Sequence, residues 1–198
     1  MKTKIKFFNQ NVLETIIVKS KSAVAEKLLL LLSFLESIIF PVPIDPLLAL
    51  LIFNNPNKFI KLSILCTVAS VFGGLFSWFL GYLLGNEVEK FFEILPWISA
   101  NDFNDVKIAF TTHGVLIVFL GAFTPLPFKL IAITSGVFNV NLFAFLIMSF
   151  IGRGIRFLIV GFIVKKYGNY GVSLLKNKIF LFTSIIGIML IIIYILSF

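Results

Sequence analysis

Five ionisable residues stand inside apolar sequence: Glu36, Asp45, Lys129, Arg153 and Arg156. Charge in hydrocarbon is costly, roughly 2.5–3.5 kcal/mol for an arginine at mid-helix, and by default it marks a functional site. Arg153 is the twelfth residue of the apolar run from Leu142 to Val164. Arg156 follows three residues on, so the two share a helix face. Two chemistries are open to this set. Basic groups in an occluded cavity would hold a phosphate head group, with arginine suited to bidentate contact. Glu36 or Asp45, partly desolvated, would then take up a proton as access to the cavity changes. In the other reading, two acids and three bases neutralise one another as static ion pairs that lock broken helices in place. Catalysis is not expected. One histidine, His113, and one cysteine, Cys66, are too few for a Ser/His/Asp or metal constellation. No catalytic residue, metal or cofactor is assigned.

The solvent around these charges is lipid. The chain has 198 residues, of which 59% are hydrophobic and 13% charged, and its mean hydropathy is +1.06. A soluble domain cannot bury that much apolar surface. The net charge of +8 comes from lysines and arginines that edge the apolar segments. That placement fits topology signals and anionic lipid head groups, not nucleic acid. The expected partners are membrane lipids, with a homo-oligomer left open. The start, MKTKIKFFNQNVLET, has no cleavage site of the signal-peptide kind.

The elements that must position the charges follow in order. Residues 1–27 form a basic N-terminal segment, either an interfacial helix or a cytoplasmic tail. Residues 28–53 hold two apolar arms around FPVPID, where Pro41 and Pro43 break the helix between Glu36 and Asp45. The first arm has 13 residues, about 20 Å of helix against about 30 Å of hydrocarbon. It is too short to cross, so a re-entrant hairpin is expected. Residues 62–85 are a full span whose Gly73, Ser77, Gly81 and Gly85 recur every fourth position after Ala69, a face for close helix packing. Residues 86–112 are a polar, mildly acidic linker with a short surface helix near Trp97.

The opening pattern then repeats. Residues 114–140 hold two arms around Thr124-Pro125-Leu126-Pro127, followed by Lys129. Nine residues before the break and eleven after it are again too few to span. Residues 142–164 form the second full span, 165–178 a basic loop, and 179–198 a last span without charge. The expected fold is an all-α integral membrane protein: an inverted repeat of re-entrant hairpin plus transmembrane helix, with an additional C-terminal helix. Paired broken segments in corresponding places point to a site at the repeat interface. With a cytoplasmic N-terminus and an external C-terminus, the lysine-rich segments fall on the cytoplasmic side, as the positive-inside rule asks.

Six motifs carry a resemblance to a known family. They are F-x-E-S-x-x-F-P-x-P-x-D (34–45), C-T-x-x-S-x-x-G-G (66–74), G-x-x-x-G (81–85), G-x-F-T-P-x-P-x-K (121–129), S-G-V-F (135–138) and G-R-G-x-R-F (152–157). In this order they resemble the DedA/VTT membrane proteins, most closely the YqaA-like branch, over about residues 28–168. The resemblance implies two opposed re-entrant hairpins, a bacterial inner-membrane location and lipid transport. Relatives are associated with proton-coupled return of undecaprenyl phosphate or with phospholipid scrambling. It makes Glu36 and Asp45 the proton-coupling candidates, and Lys129, Arg153 and Arg156 the head-group candidates. The DedA pattern carries an arginine where this chain has Ala122, and Arg153 and Arg156 are expected to supply that cation. A proton-coupled transporter of small ions or solutes would use the same charges and remains the alternative.

Overall fold

In a computed structural model the backbone is described for residues 23–38, 44–94, 100–124 and 126–174. The N-terminal helix, Pro41, Pro43, Pro125, Trp97 and the C-terminal span expected from sequence lie outside the described structure or its side chains. Six α-helices carry the rest: α1 (Ala23–Glu36), α2 (Ile44–Asn54), α3 (Phe59–Ile94), α4 (Ala100–Phe123), α5 (Phe128–Val137) and α6 (Leu142–Leu174). A single 3₁₀ turn, Pro56–Lys58, leads into α3. Among the described residues there is no strand. Among the described residues, three segments are long and apolar enough to cross a membrane: Pro56–Gly85, Asn104–Phe123 and Leu142–Gly168.

Helix boundaries depart from the polarity boundaries. α3 continues past Gly85 to Ile94, and α4 begins at Ala100, so helix fills much of the expected linker. Charged residues end contact with hydrocarbon; they do not end a helix, and Glu and Lys are good helix formers. The nine-residue arm expected before the second break is the end of the 24-residue α4. Its length therefore gives no argument against crossing. The backbone does leave helical geometry at His113 (φ −125°, ψ 16°), one residue before the expected arm begins. α6 passes Val164 and breaks at Gly168, whose φ of 53° lies in the left-handed region that glycine reaches without a Cβ penalty.

Packing is organised around α3 and α6, which touch each other and each carry two of the other helices laid end to end. Along α3, Glu26 meets Lys58 and Lys61, Ser33 meets Cys66, and Ser37 meets Ser70. α1 thus runs parallel to the first half of α3. α5 follows the second half: Phe128 lies at Gly74, Ile133 at Gly81 and Val137 at Gly85. Along α6, Val140 just before it lies at Gly114, Met148 shares a surface depression with Phe119, and Gly152 meets Phe119 and Ala122. α4 thus covers the first half. α2 covers the second, with Asp45 at Arg156 and Ile52 at Gly161.

Each helix pair therefore places its first arm on the long helix that follows it and its second arm on the other long helix. The arms meet near the middle of each long helix, at Gly73–Gly74 of α3 and Gly152–Arg156 of α6. Close approach makes this possible. A Cβ on Gly81 would collide with the Ile133 carbonyl, and one on Gly136 with the Trp78 carbonyl, so α3 and α5 pack backbone to backbone. Two apolar clusters result. Leu29, Leu48, Ile52, Leu62, Phe157 and Val164 build one, and Trp78, Val118, Phe128, Ala132 and Phe145 the other. The charges lie at the seam between them.

Candidate functional site

The site grows from the broken ends of the four arms. A helix leaves its last carbonyls and first N–H groups without intrahelical partners, and at depth in an apolar molecule something else must satisfy them. Glu36 is the last residue of α1 and Asp45 the second of α2. The helix dipole favours a negative charge at Asp45's position and opposes one at Glu36's, so Glu36 leans on its partner.

Both partners come from α6. Arg153 Nη2 donates to Glu36 Oε2 at 2.8 Å. Arg156 Nη2 donates to Asp45 Oδ2, and its Nη1 donates to the Thr124 carbonyl at 2.7 Å. That carbonyl lies just past the end of α4, where Pro125 offers no N–H to continue the helix. Arg153 is 2% exposed, and its guanidinium lies 5.0 Å from the ring centres of both Phe128 and Phe157. Each such contact contributes about 0.5–2 kcal/mol, which offsets part of the cost of burying the charge.

Each arginine thus holds one end from each helix pair. Arg153 joins the end of α1 to the start of α5, and Arg156 joins the start of α2 to the end of α4. They are the twelfth and fifteenth residues of the 27-residue apolar segment Leu142–Gly168, and so bracket its centre. Lys129, the second residue of α5, is half-buried.

Of the remaining sequence candidates, Gly73 and Ser77 face α1, where the Ser77 hydroxyl donates to the Ser37 carbonyl at 2.7 Å, while Gly81 and Gly85 face α5. Pro127 caps the start of α5. Ala122 is fully buried against Gly152, the residue before Arg153, so the cation at this seam is supplied by α6. Not foreseen were Thr124 and the ring pair Phe128 and Phe157. The rings fall inside the quoted motifs, and that was the available signal. Also unforeseen was the polar seam between α1 and α3. There Ser33 shares a hydrogen bond with Cys66 at 2.9 Å, and Ser37 with Ser70 at 2.7 Å. Among the described residues, no group of three His, Cys, Asp or Glu side chains could hold a metal.

At one end of the molecule Glu26 bridges Lys58 and Lys61 at 2.8 Å each, and Lys165 lies 4.4 Å over the ring of Phe59. The two lysines hold the Glu26 carboxyl below its ordinary range, chiefly through their hydrogen bonds.

A family model described as the VTT domain matches residues 42–166, more than half of the chain and inclusive of Asp45, Lys129 and both arginines. The chain belongs to the VTT-domain (DedA) family. It is similar to an uncharacterized protein of Haemophilus influenzae, 31% identical over 147 residues, which are 74% of this chain and 76% of that one. An uncharacterized protein of Histophilus somni is 28% identical over the same shares. No solved structure gives a significant match. As a VTT-domain protein with three long apolar helices, the chain is a membrane protein.

Proposed function

We propose that this VTT-domain protein is a lipid transporter, of flippase or scramblase type, that moves a phosphorylated lipid such as a polyprenyl phosphate or phospholipid. The observation that carries the reading is that each of two mid-helix arginines ties together one broken end from each helix pair. Two hairpins entering from opposite leaflets would meet there, related as an inverted repeat, and a head group reaching the arginines could be released toward either side. The exchange of arms between α3 and α6 supports that repeat.

The chemistry follows from competition for the guanidinium. In this closed form Glu36 and Asp45 occupy the donors that a phosphate would need. Protonation of a carboxylate removes its charge and frees the arginine. The phosphate then takes the place of the carboxylate, with bidentate geometry available to it. Deprotonation restores the ion pair and expels the head group. Proton uptake and lipid binding are thereby coupled at one pair of side chains, without any bond being made or broken in the lipid. Lys129, beside the second break, would add positive charge along the path. The lysine-rich end of the molecule, with Lys58, Lys61 and Lys165, would face the cytoplasm of a bacterial cell membrane. The order of motifs supports the YqaA-like branch.

A second reading is favoured by the same ion pairs, since salt bridges of this kind serve equally as static locks. Purified protein in liposomes separates the two. The transporter accelerates flipping of labelled phospholipid or polyprenyl phosphate, and Glu36→Gln or Arg153→Ala abolishes flipping in protein that still inserts. Wild-type rates from both variants would leave the static role. Flipping of no lipid, with proton-linked movement of a small solute, would favour a solute transporter.

A further inference from the structure

Among the described residues, buried hydroxyls follow a pattern with one exception. Ser33, Ser37, Thr67, Thr124 and Ser135 each donate to the carbonyl four residues back, at 2.6–3.1 Å. Ser63 donates to the Phe157 carbonyl, Ser70 pairs with Ser37, and Ser77 donates to the Ser37 carbonyl. Ser149 is 0% exposed, yet its hydroxyl has no partner. The other buried side-chain atom in this condition among the described residues is Nε of Arg153. An unmet buried donor is costly, about 1–3 kcal/mol, so two of them in one place call for an explanation.

They are in one place. Ser149 and Arg153 are one turn apart on the inward stripe of α6 that also holds Phe145 and Phe157. Helical side chains lean toward the N-terminus, the direction in which Ser149 lies from Arg153. The guanidinium fork has a second asymmetry. Nε–H and one Nη2–H point the same way along one edge, the edge that accepts a carboxylate or phosphate through two parallel bonds. Glu36 takes Nη2 with one oxygen and leaves Nε. The rings of Phe128 and Phe157 hold the fork in that attitude.

We propose that Ser149 Oγ, Arg153 Nε and Arg153 Nη2 form a three-donor cradle for a phosphate group, with Ser149 as its specificity-determining residue. This deepens the transporter reading and rests on it. When Glu36 withdraws, one phosphate oxygen accepts from Nη2 and a second from Nε, and the serine hydroxyl donates to one of them. A carboxylate bound one-armed cannot satisfy all three donors; a tetrahedral oxyanion can. The shared chemistry is a phosphate with at least two terminal oxygens, whether on a lipid or free in solution.

The test is thermal stabilisation of the purified full chain in detergent. The probes are dioctanoyl phosphatidate, inorganic phosphate, and dioctanoylglycerol as the phosphate-free control. Wild type is expected to be stabilised by phosphatidate and not by dioctanoylglycerol. Equal stabilisation by inorganic phosphate at the same concentration would identify the free anion as sufficient ligand. Ser149→Ala is expected to weaken phosphatidate binding about tenfold or more, with Ser149→Thr keeping wild-type affinity. Ser149→Cys, of near-native size and a poor donor, is expected to follow alanine and serves if the alanine variant does not fold. Unchanged affinity in Ser149→Ala, or a lower ligand-free melting temperature alone, would overturn the cradle while wild-type binding keeps the transporter reading. If neither phosphate-bearing probe stabilises wild type, the phosphorylated-lipid reading fails and the cradle with it.

Discussion

Arg153 is a buried charge set among groups that suit a cation. It has a carboxylate at 2.8 Å and a ring on either side, and almost no exposure. Such a pair is weak evidence of net stabilisation, since hydrophobic replacements of both partners are often neutral. Removing one partner is another matter. Glu36→Ala leaves Arg153 buried without a counter-charge and is expected to cost about 3–5 kcal/mol, read as a lower melting temperature in detergent. The double variant Glu36→Leu/Arg153→Met is expected to recover most of that loss. Asp45→Asn should cost less than Glu36→Ala, because Arg156 keeps the Thr124 carbonyl and is itself less buried.

The helices owe their spacing to small residues placed where arms lie on α3. At Gly81 an added methyl would meet the Ile133 backbone, which cannot swing away as a side chain can. Gly81→Ala is therefore expected to destabilise by about 1–3 kcal/mol despite alanine's better helix propensity. At Gly85 the nearest atom stands 3.5 Å from the same added methyl, an ordinary contact. Gly85→Ala is expected to be neutral or stabilising in the same thermal unfolding measurement. The start of α1 is held differently, through Glu26 and its two lysines. The folded carboxyl titrates below its unfolded value, so its contribution is complete above the unfolded value and disappears as pH falls through the folded one. Amide exchange in the first turns of α1 is expected to lose protection between neutral pH and a pH below that of an ordinary glutamate. Glu26→Gln should show the lower protection at both.

The molecule as a unit is two crossed halves. α1 and α4 each rest on the long helix of their own half, while α2 and α5 reach across to the other. Pulling the halves apart would therefore break both arginine–carboxylate pairs together. The arrangement also gives a topology that can be measured. Single cysteines at position 58 or 165, in a chain with Cys66→Ser, are expected to react with a membrane-impermeant thiol reagent only from the cytoplasmic face. A reporter fused after Phe198 is expected to read as external. A cytoplasmic reading there would remove the opposed-hairpin reading of the two helix pairs.

Hydropathy and helix breaking are local properties, and the chain alone states them. The lipid solvent, the five charges inside apolar sequence, the interruption before Asp45 and the one before Lys129 were all legible from residue types within a few positions of each other. So was the family, through six short motifs in order. The reach of the helices was not: polarity marks where hydrocarbon stops, and α3 and α4 run on beyond it. Nor did the chain state which acid meets which base, because those partners are 117 and 111 residues apart and only packing brings them together. That each arginine holds both halves, that Phe128 and Phe157 enclose one guanidinium, and that Ser149 lacks the bond other buried hydroxyls make, are facts of tertiary structure. They depend on how closely two backbones approach at mid-helix, a distance that no one-dimensional spacing encodes.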